Sequence, residues 1–180
     1  MCEWNNQKPI IWFRLNLMQM SVEERDNFFN ENNFEFSVWE HDNRFFNVNH
    51  TSRLLNNVIF DEGKISIQDP AGGLVVKLLD PKKNEIITDT CAAPGGKTSF
   101  ISQLMENTGK IRAYDSNINR LKKFAKGMSR LKVDNVDAEM ADMTDFKLIK
   151  SSKIIIDAPC TGTGVMSKRA DLRWRRTIKN

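Results

Sequence analysis

A loop of small residues and glycines has the strongest pattern for binding a small molecule. It lies between a predicted strand over 85–89 and a predicted helix over 97–107. Paired glycines let the backbone approach a ligand closely, and the start of a helix supplies unpaired N–H donors. The candidate binding residues are Cys91, Ala92, Ala93, Pro94, Gly95, Gly96 and Lys97.

The loop differs from the common phosphate-binding motifs. Gly96-Lys97-Thr98 matches the end of a Walker A loop, but Cys91 stands where that motif has its first glycine. Pro94 also removes one N–H from the would-be phosphate cradle. A nucleoside ligand without a phosphate chain, such as S-adenosyl-L-methionine, fits this loop better, and a P-loop NTPase remains the less favoured alternative.

Carboxylates stand at the ends of several predicted strands. They are Asp89, Asp115 and Asp157, with Asp142 just beyond a further strand. Any one of them can be explained as the cap of a following turn. Ligands bind at the carboxyl ends of strands in a parallel sheet, so the set predicts a site for a ligand with hydroxyl and amino groups. In such a site Asp115 is placed to hold the ribose hydroxyls.

A second glycine-rich loop places a thiol after the last predicted strand. Pro159-Cys160 follows Asp157 closely, and the residues after the cysteine are small and polar. A buried structural role is the more common one for cysteine. The polar surroundings of Cys160 nevertheless favour a functional thiol beside the ligand.

Positive charge is concentrated near the end of the chain. The protein has 27 Lys and Arg against 23 Asp and Glu, but Asp171 is the single acid of the segment 167–180. Such a cluster suits a polyanion, and an aromatic side chain among cations can stack on a base or a ribose. The predicted RNA-binding residues are Lys168, Arg169, Arg173, Trp174, Arg175 and Arg176. A second basic segment, 120–132, is better explained as a solvated helix face.

Strands and helices alternate after residue 62. The predicted strands are 85–89, 111–115, 136–140 and 153–157, and the predicted helices are 71–79, 97–107 and 117–131. This rhythm indicates an α/β fold with a parallel, doubly wound sheet. We therefore predict that residues 63–180 form the N-terminal part of a Rossmann-like domain with its first four strands. The last of these is expected to be an open edge.

Residues 1–62 are rich in asparagine and aromatic residues and form a separate predicted domain. A strand is expected over 10–16 and another over 34–39. Between them, Ser21-Val22-Glu23-Glu24 fits a capping box that begins a short helix. This region is predicted to be a small α+β module with β-α-β order, and its aromatic residues are assigned to a core.

Composition excludes several classes of protein. No apolar run approaches the roughly 18–20 residues of a membrane span, and the N-terminus has no secretory pattern. The three cysteines, Cys2, Cys91 and Cys160, are widely spaced and suit neither a disulfide framework nor a metal site. We therefore expect a cytoplasmic protein with no membrane partner and no metal.

Two long motifs carry a resemblance to a known family. Residues 89–98 and 157–165, followed by 171–174, resemble the Sun/NSUN family of RNA cytosine carbon-5 methyltransferases, especially its bacterial RsmB-like members. The resemblance begins at residues 12–16, which resemble the start of the family's small RNA-binding subdomain, and it includes Gln68-Asp69. It therefore implies that the α+β module over residues 1–62 is an RNA-binding subdomain. It implies that the cofactor is S-adenosyl-L-methionine. It also implies that the partner is RNA, in particular small-subunit ribosomal RNA. It also implies that the loop 91–97 wraps the cofactor, with Asp115 at the ribose, Asp142 near the adenine and Asp157 near the methionine part.

The resemblance gives Cys160 an accessory role. In this family a thiolate adds to carbon 6 of cytosine, carbon 5 takes the methyl group, and loss of the carbon-5 proton expels the thiol. The resemblance assigns that attack to a second cysteine in a downstream Thr-Cys motif. We therefore expect the chain to be a fragment that carries the cofactor-binding half and is inactive alone. A non-catalytic RNA- or cofactor-binding fragment remains an alternative; the oligomeric state is open, with a monomer expected at full length.

Overall fold

The computed structural model describes residues 8–144 and 150–160, together with Asn6, Gly162, Ser167, Asp171 and Trp174. Within this part of the chain, residues 11–157 form one compact unit that contains two four-stranded sheets. The first sheet is antiparallel and the second is parallel. The predicted α/β class is confirmed.

The first sheet has two strands more than the predicted β-α-β module. Its strands are β1 (Phe13–Leu15), β2 (Phe36–Trp39), β3 (Asp42–Val48) and β4 (Ile65–Ile67), in the order β2-β3-β1-β4. No strand was predicted over the residues of β3, and β4 lies within the region 63–180 that was assigned to the second domain. The domain boundary after residue 62 stays a prediction, but the strand that follows this boundary pairs with β1.

Among the described residues, three helices accompany the first sheet: α1 (Val22–Glu31), α2 (Thr51–Leu55) and α3 (Val58–Asp61). The first begins at the predicted capping box. Ser21 Oγ accepts a hydrogen bond from the Glu24 N–H at 3.1 Å, and the Glu24 carboxylate accepts one from the Ser21 N–H at 2.6 Å. This backbone hydrogen bond lowers the pKa of Glu24. The box fixes where α1 starts and so which of its faces covers the sheet.

The aromatic residues of the first region form its core, as expected. Phe13, Phe29 and Phe46 are fully buried, and the rings of Phe29 and Phe46 lie 5.2 Å apart in an edge-on contact. Phe45, the neighbour of Phe46 on β3, belongs to a second core and meets Phe100 at 5.8 Å. The sheet is therefore covered on both faces, which brings β3 against the second half of the unit.

The parallel sheet has the predicted order of elements. The helix α4 (Pro70–Leu79) precedes the sheet. The strands and helices then alternate in the order β5 (Ile86–Asp89), α5 (Gly96–Leu104), β6 (Lys110–Asp115), α6 (Ile118–Arg130), β7 (Val136–Met140) and β8 (Lys153–Ile155). The strand order of the sheet is β7-β6-β5-β8, so the last described strand lies at an edge. The carboxyl ends of β5 and β8 lie side by side, because Asp89 pairs with Ile155. None of the helices in the described ranges is long and apolar enough to cross a membrane.

Candidate functional site

A cavity of about 190 Å³ opens at the carboxyl ends of β5 and β8. Of the predicted site residues, it is lined by Cys91, Ala92, Ala93, Pro94, Gly96, Lys97 and Asp157. Asp89 lines it as well. Three further lining residues, Gln68, Asp69 and Gly72, come from the start of α4 and were not predicted as site residues. Their sequence signals only a helix start, with Asp69 as N-cap and a proline in the first turn.

The loop after β5 is fastened to both neighbouring strands. The Thr90 N–H donates to the Ile155 carbonyl at 3.1 Å, and the Ala92 N–H donates to the Tyr114 carbonyl at 2.8 Å. These bonds reach β8 on one side and the end of β6 on the other. The loop is therefore held in a defined shape along the mouth of the cavity.

The two adjacent glycines of the loop have different surroundings. Gly95 has φ +107°, and a Cβ there would lie 2.5 Å from Met128 Cε and 3.0 Å from the Phe124 ring. It packs against α6 and does not line the cavity. Gly96 begins α5, and a Cβ on it would meet nothing closer than 3.9 Å, at Gln68 Nε2. Gly96 therefore leaves open space on the cavity side of the loop.

The Asp89 side chain connects the loop after β5 to α5. This side chain is buried, and it accepts hydrogen bonds from Thr98 Oγ1 at 2.7 Å and from the Cys91 N–H at 3.3 Å. Burial raises the pKa of Asp89, although both hydrogen bonds act in the opposite direction. The carboxylate is thus a structural member of the cavity wall.

Opposite charges meet at the mouth of the cavity. Lys97 Nζ lies 2.5 Å from an Asp157 carboxylate oxygen. The lysine side chain is partly buried, whereas that of Asp157 is 58% exposed. A ligand that carries both an ammonium and a carboxylate group can exchange partners with this pair.

Asp115 lies beside the loop and does not line the cavity. Its buried carboxylate accepts hydrogen bonds from the Ala93 N–H at 3.2 Å and the Asn117 N–H at 3.0 Å, and it pairs with Arg120 at 3.2 Å. Arg120 also donates to the Ala93 carbonyl. The carboxylate thus ties the loop to the start of α6, and its contact with a ribose stays a prediction.

The remaining predicted residues are not among the lining residues of the cavity, or they lie outside the described residues. Asp142 is exposed beyond β7, where hydrogen bonds from Thr144 lower its pKa. Cys160 is exposed, and Trp174 is 88% exposed. Outside the described residues lie Lys168, Arg169, Arg173, Arg175 and Arg176.

The basic segment 120–132 divides into structural arginines and exposed lysines. Arg130 donates to the Ile65 carbonyl at 3.0 Å and lies over the Phe60 ring at 4.1 Å, and Arg120 pairs with Asp115. The exposed lysines of the same helix are Lys122, Lys123 and Lys126. The solvated-face interpretation holds for these lysines, whereas Arg130 packs against the first region and the half-exposed Arg120 pairs with Asp115.

In a comparison with known proteins, the family model of the 16S rRNA methyltransferase RsmB/F matches residues 76–180. The probable ribosomal RNA small subunit methyltransferase B of Bacillus subtilis (strain 168) is 36% identical over 121 residues, which are 65% of this chain and 27% of that protein. Ribosomal RNA small subunit methyltransferase B of Proteus mirabilis is 30% identical over 178 residues, 97% of this chain and 42% of the relative. This chain therefore spans less than half the length of these relatives.

Solved structures share the fold along almost the whole chain. A methyltransferase homologue from Pyrococcus horikoshii superposes with a TM-score of 0.82 at 32% identity, covering 98% of this chain and 56% of the other. NSun6 from Pyrococcus horikoshii gives a TM-score of 0.84 at 21% identity, covering 98% and 69%. Both matches include the antiparallel sheet as well as the parallel one, because they cover nearly all of the chain.

Proposed function

This chain belongs to the RsmB/F family of S-adenosylmethionine-dependent RNA cytosine carbon-5 methyltransferases, and on that premise we propose that it binds S-adenosyl-L-methionine in the cavity between β5 and β8. We further propose that it is the cofactor-binding half of an enzyme that methylates ribosomal RNA. We also propose a cytoplasmic location. The observation that carries the proposal is the cavity itself, where the glycine loop meets the Lys97–Asp157 pair.

The size and polarity of the cavity fit the methionine part of the cofactor. At about 190 Å³, it is smaller than the roughly 300 Å³ at which sites for whole small molecules begin. Lys97 offers a cation for the carboxylate and Asp157 an anion for the ammonium group of an α-amino acid. Open space beside Gly96 leaves room for such a group. The adenosine part would extend beyond the cavity, where Asp115 and Asp142 are the proposed contacts.

The chain's own residues would bind and orient the cofactor. When bound, the cofactor supplies an electrophilic methyl group on a sulfonium centre. Lys97 and Asp157 would fix the amino-acid end, and the rigid loop would fix the direction of the rest. Cys160, three residues after Asp157, is the proposed accessory thiol for a base whose carbon 6 is attacked by another cysteine. Under this proposal the chain alone does not methylate RNA.

Calorimetric titration tests the cofactor assignment directly. We expect the 180-residue chain to bind S-adenosyl-L-homocysteine, which keeps the amino-acid and adenosine parts, and not to bind ATP with magnesium. If the chain binds ATP with magnesium but does not bind S-adenosyl-L-homocysteine, the P-loop NTPase alternative is favoured. Absence of binding to either ligand would contradict the proposed function.

A further inference from the structure

Gln68 brings an unsatisfied donor to the cavity. The residue is 7% exposed and lines the cavity, and its Nε2 has no hydrogen-bond partner within the described part of the chain. The Cβ positions of Gly72 and Gly96 would lie 3.8 and 3.9 Å from this nitrogen. The amide nitrogen therefore borders the space that these two glycines leave open. A buried N–H group without a partner is rare in folded proteins and favours a ligand acceptor at that point.

Arg14 fixes which way the amide points. Its Nη1 donates to Gln68 Oε1 and, at 3.0 Å, to the Gly96 carbonyl, while Nη2 donates to Ser99 Oγ at 3.1 Å. A guanidinium group has donors only, so the amide oxygen must face it. The amide NH₂ group must then face away from Arg14, which is the cavity side. Stacking of the guanidinium on Phe100 at 4.5 Å holds it in place.

The surroundings of this amide favour an anion. Arg14 is fully buried and pairs with neutral oxygens of Gln68, Gly96 and Ser99. Burial, together with the charge of Arg44, lowers the pKa of Arg14 to about 9, and the group stays positive at neutral pH. The N-terminus of α5 and Lys97 add further positive potential at the same edge. Asp69, Asp89 and Asp157 line the same cavity, so the favourable potential is local to the amide, where Arg14, Lys97 and the helix N-terminus favour a negatively charged group of the ligand as the acceptor.

We propose that the Gln68 amide donates a hydrogen bond to the carboxylate of the cofactor's methionine part. Arg14 is then a positioning residue that holds the amide in the required orientation. This inference rests on the proposed function, because it assumes that the methionine part occupies the cavity. It makes the antiparallel sheet a direct contributor to the cofactor site, since Arg14 lies on β1 and Gln68 directly follows β4.

A pair of ligands that differ only in the carboxylate isolates this contact. We would measure the Kd of the chain for S-adenosyl-L-methionine and for its decarboxylated form by calorimetry. A hydrogen bond to a charged group corresponds to roughly a ten- to hundredfold change in affinity. Gln68→Met should weaken binding of the first ligand by about that factor and change binding of the second by less than about twofold.

Gln103→Met is the matched control. Gln103 also has a buried Nε2 without a partner among the described residues, but it lines a different cavity. Its substitution should leave the Kd of both ligands unchanged. Gln68→Glu gives a second test, because the new carboxylate can pair with the buried Arg14 and so keeps the fold, yet it repels the ligand carboxylate. It should reduce the preference for the carboxylated ligand at least as far as Gln68→Met does.

The positioning role of Arg14 has its own test. Arg14→Lys keeps a positive charge but loses the planar fork that orients the amide. It should lower the preference for the carboxylated ligand, and adding Gln68→Met to it should lower that preference little further, because the two residues act as a unit. Fully additive losses would overturn the positioning role.

The outcomes separate this inference from the proposed function. If the unmodified chain binds neither ligand, the proposed function fails, and the inference fails with it. If the chain binds S-adenosyl-L-methionine and Gln68→Met keeps the preference for the carboxylate, only the inference is overturned. An equal loss for both ligands in Gln68→Met also overturns it, because a merely structural role of Gln68 predicts that result.

Discussion

At the scale of single residues, Asp89 is a carboxylate on which burial and hydrogen bonding act in opposite directions. It is 1% exposed, and burial raises its pKa despite the hydrogen bonds from Thr98 and Cys91. In the unfolded chain an aspartate titrates near its ordinary pKa of about 3.9. At pH values between the unfolded and the folded pKa, Asp89 is therefore mostly protonated in the native state and mostly ionised in the unfolded chain. The stability that Asp89 contributes is present below the unfolded pKa and is lost as the pH rises through the folded pKa.

Asp89→Asn should therefore change the pH dependence of stability. We expect the free energy of unfolding of the wild type, relative to the variant, to be highest at acid pH and to fall as the pH rises above about 4. Urea denaturation over a pH series measures this difference. Asp142→Asn is the control with opposite sign: hydrogen bonds from Thr144 lower the pKa of Asp142, so its contribution is lost as the pH falls. The same trend in both variants would contradict the assignment.

At the scale of elements, the two glycines before and within α5 predict different defects. Gly95→Ala places a Cβ at φ +107° and 2.5 Å from Met128 Cε, so it should lower the free energy of unfolding. Strain and overpacking of this kind cost about 1–3 kcal/mol. Gly96→Ala meets no close atom and should leave stability unchanged or slightly higher, since alanine suits a helix better than glycine. Its methyl group enters the cavity, however, and should weaken cofactor binding severalfold.

Thermal unfolding and calorimetry on the two variants measure both effects. A stable Gly96→Ala protein that binds S-adenosyl-L-homocysteine as tightly as the wild type would show that the ligand does not approach this side of the loop. Equal destabilisation by both substitutions would contradict the different surroundings of Gly95 and Gly96.

The elements of the parallel sheet could be predicted because each leaves a local signal. Short apolar runs that end in aspartate indicated β5, β6 and β8, and the glycines after β5 indicated the loop that leads to α5. The strand β3 left no such signal, since Phe45 and Phe46 enter two different cores and the sequence does not alternate. The helix α5 ends at Leu104, before the predicted 107, because Glu106 and Asn107 adopt left-handed conformations.

The cavity was predicted only in part for a related reason. Its glycine loop is local in sequence, and the predicted lining residues lie between 91 and 97 apart from Asp157. The proposed role of Gln68 depends on its contacts with Arg14 and Gly96. These three residues come from separate segments that meet only in the folded chain. Spacing along the chain does not encode such a contact, although Gln68 lay within the region of family resemblance.

At the scale of the whole molecule, buried polar bonds join the two sheets within one unit. Asn16 Nδ2, just after β1, donates to the Gly63 carbonyl and to the Leu131 carbonyl, both at 3.0 Å. Arg14 makes the corresponding connection to the start of α5. Losing one partner of a buried hydrogen bond leaves the other unsatisfied, which costs about 1–3 kcal/mol. The antiparallel sheet therefore supports the parallel one and is not merely tethered to it.

The chemistry available to the whole chain depends on its cysteines, and a trapped RNA adduct tests it. RNA that contains 5-fluorocytosine holds the enzyme covalently after a thiolate has added to carbon 6, because the fluorine prevents the proton loss that expels the thiol. With S-adenosyl-L-methionine present, we expect no stable protein–RNA band on a denaturing gel. The reason is that the proposed nucleophile is a second cysteine in a Thr-Cys motif downstream, and the proposed role of Cys160 is only an accessory one.

The cysteine variants decide what a band would mean. A band that disappears in Cys160→Ser would make Cys160 the nucleophile and contradict its accessory role. A band that persists in Cys160→Ser but disappears in Cys91→Ser would assign the attack to the thiol that lines the cofactor cavity. Calorimetry with S-adenosyl-L-homocysteine on the same preparations is the control. The absence of a band supports the accessory role only when the cofactor still binds, because binding shows that the cofactor site of the tested protein is folded.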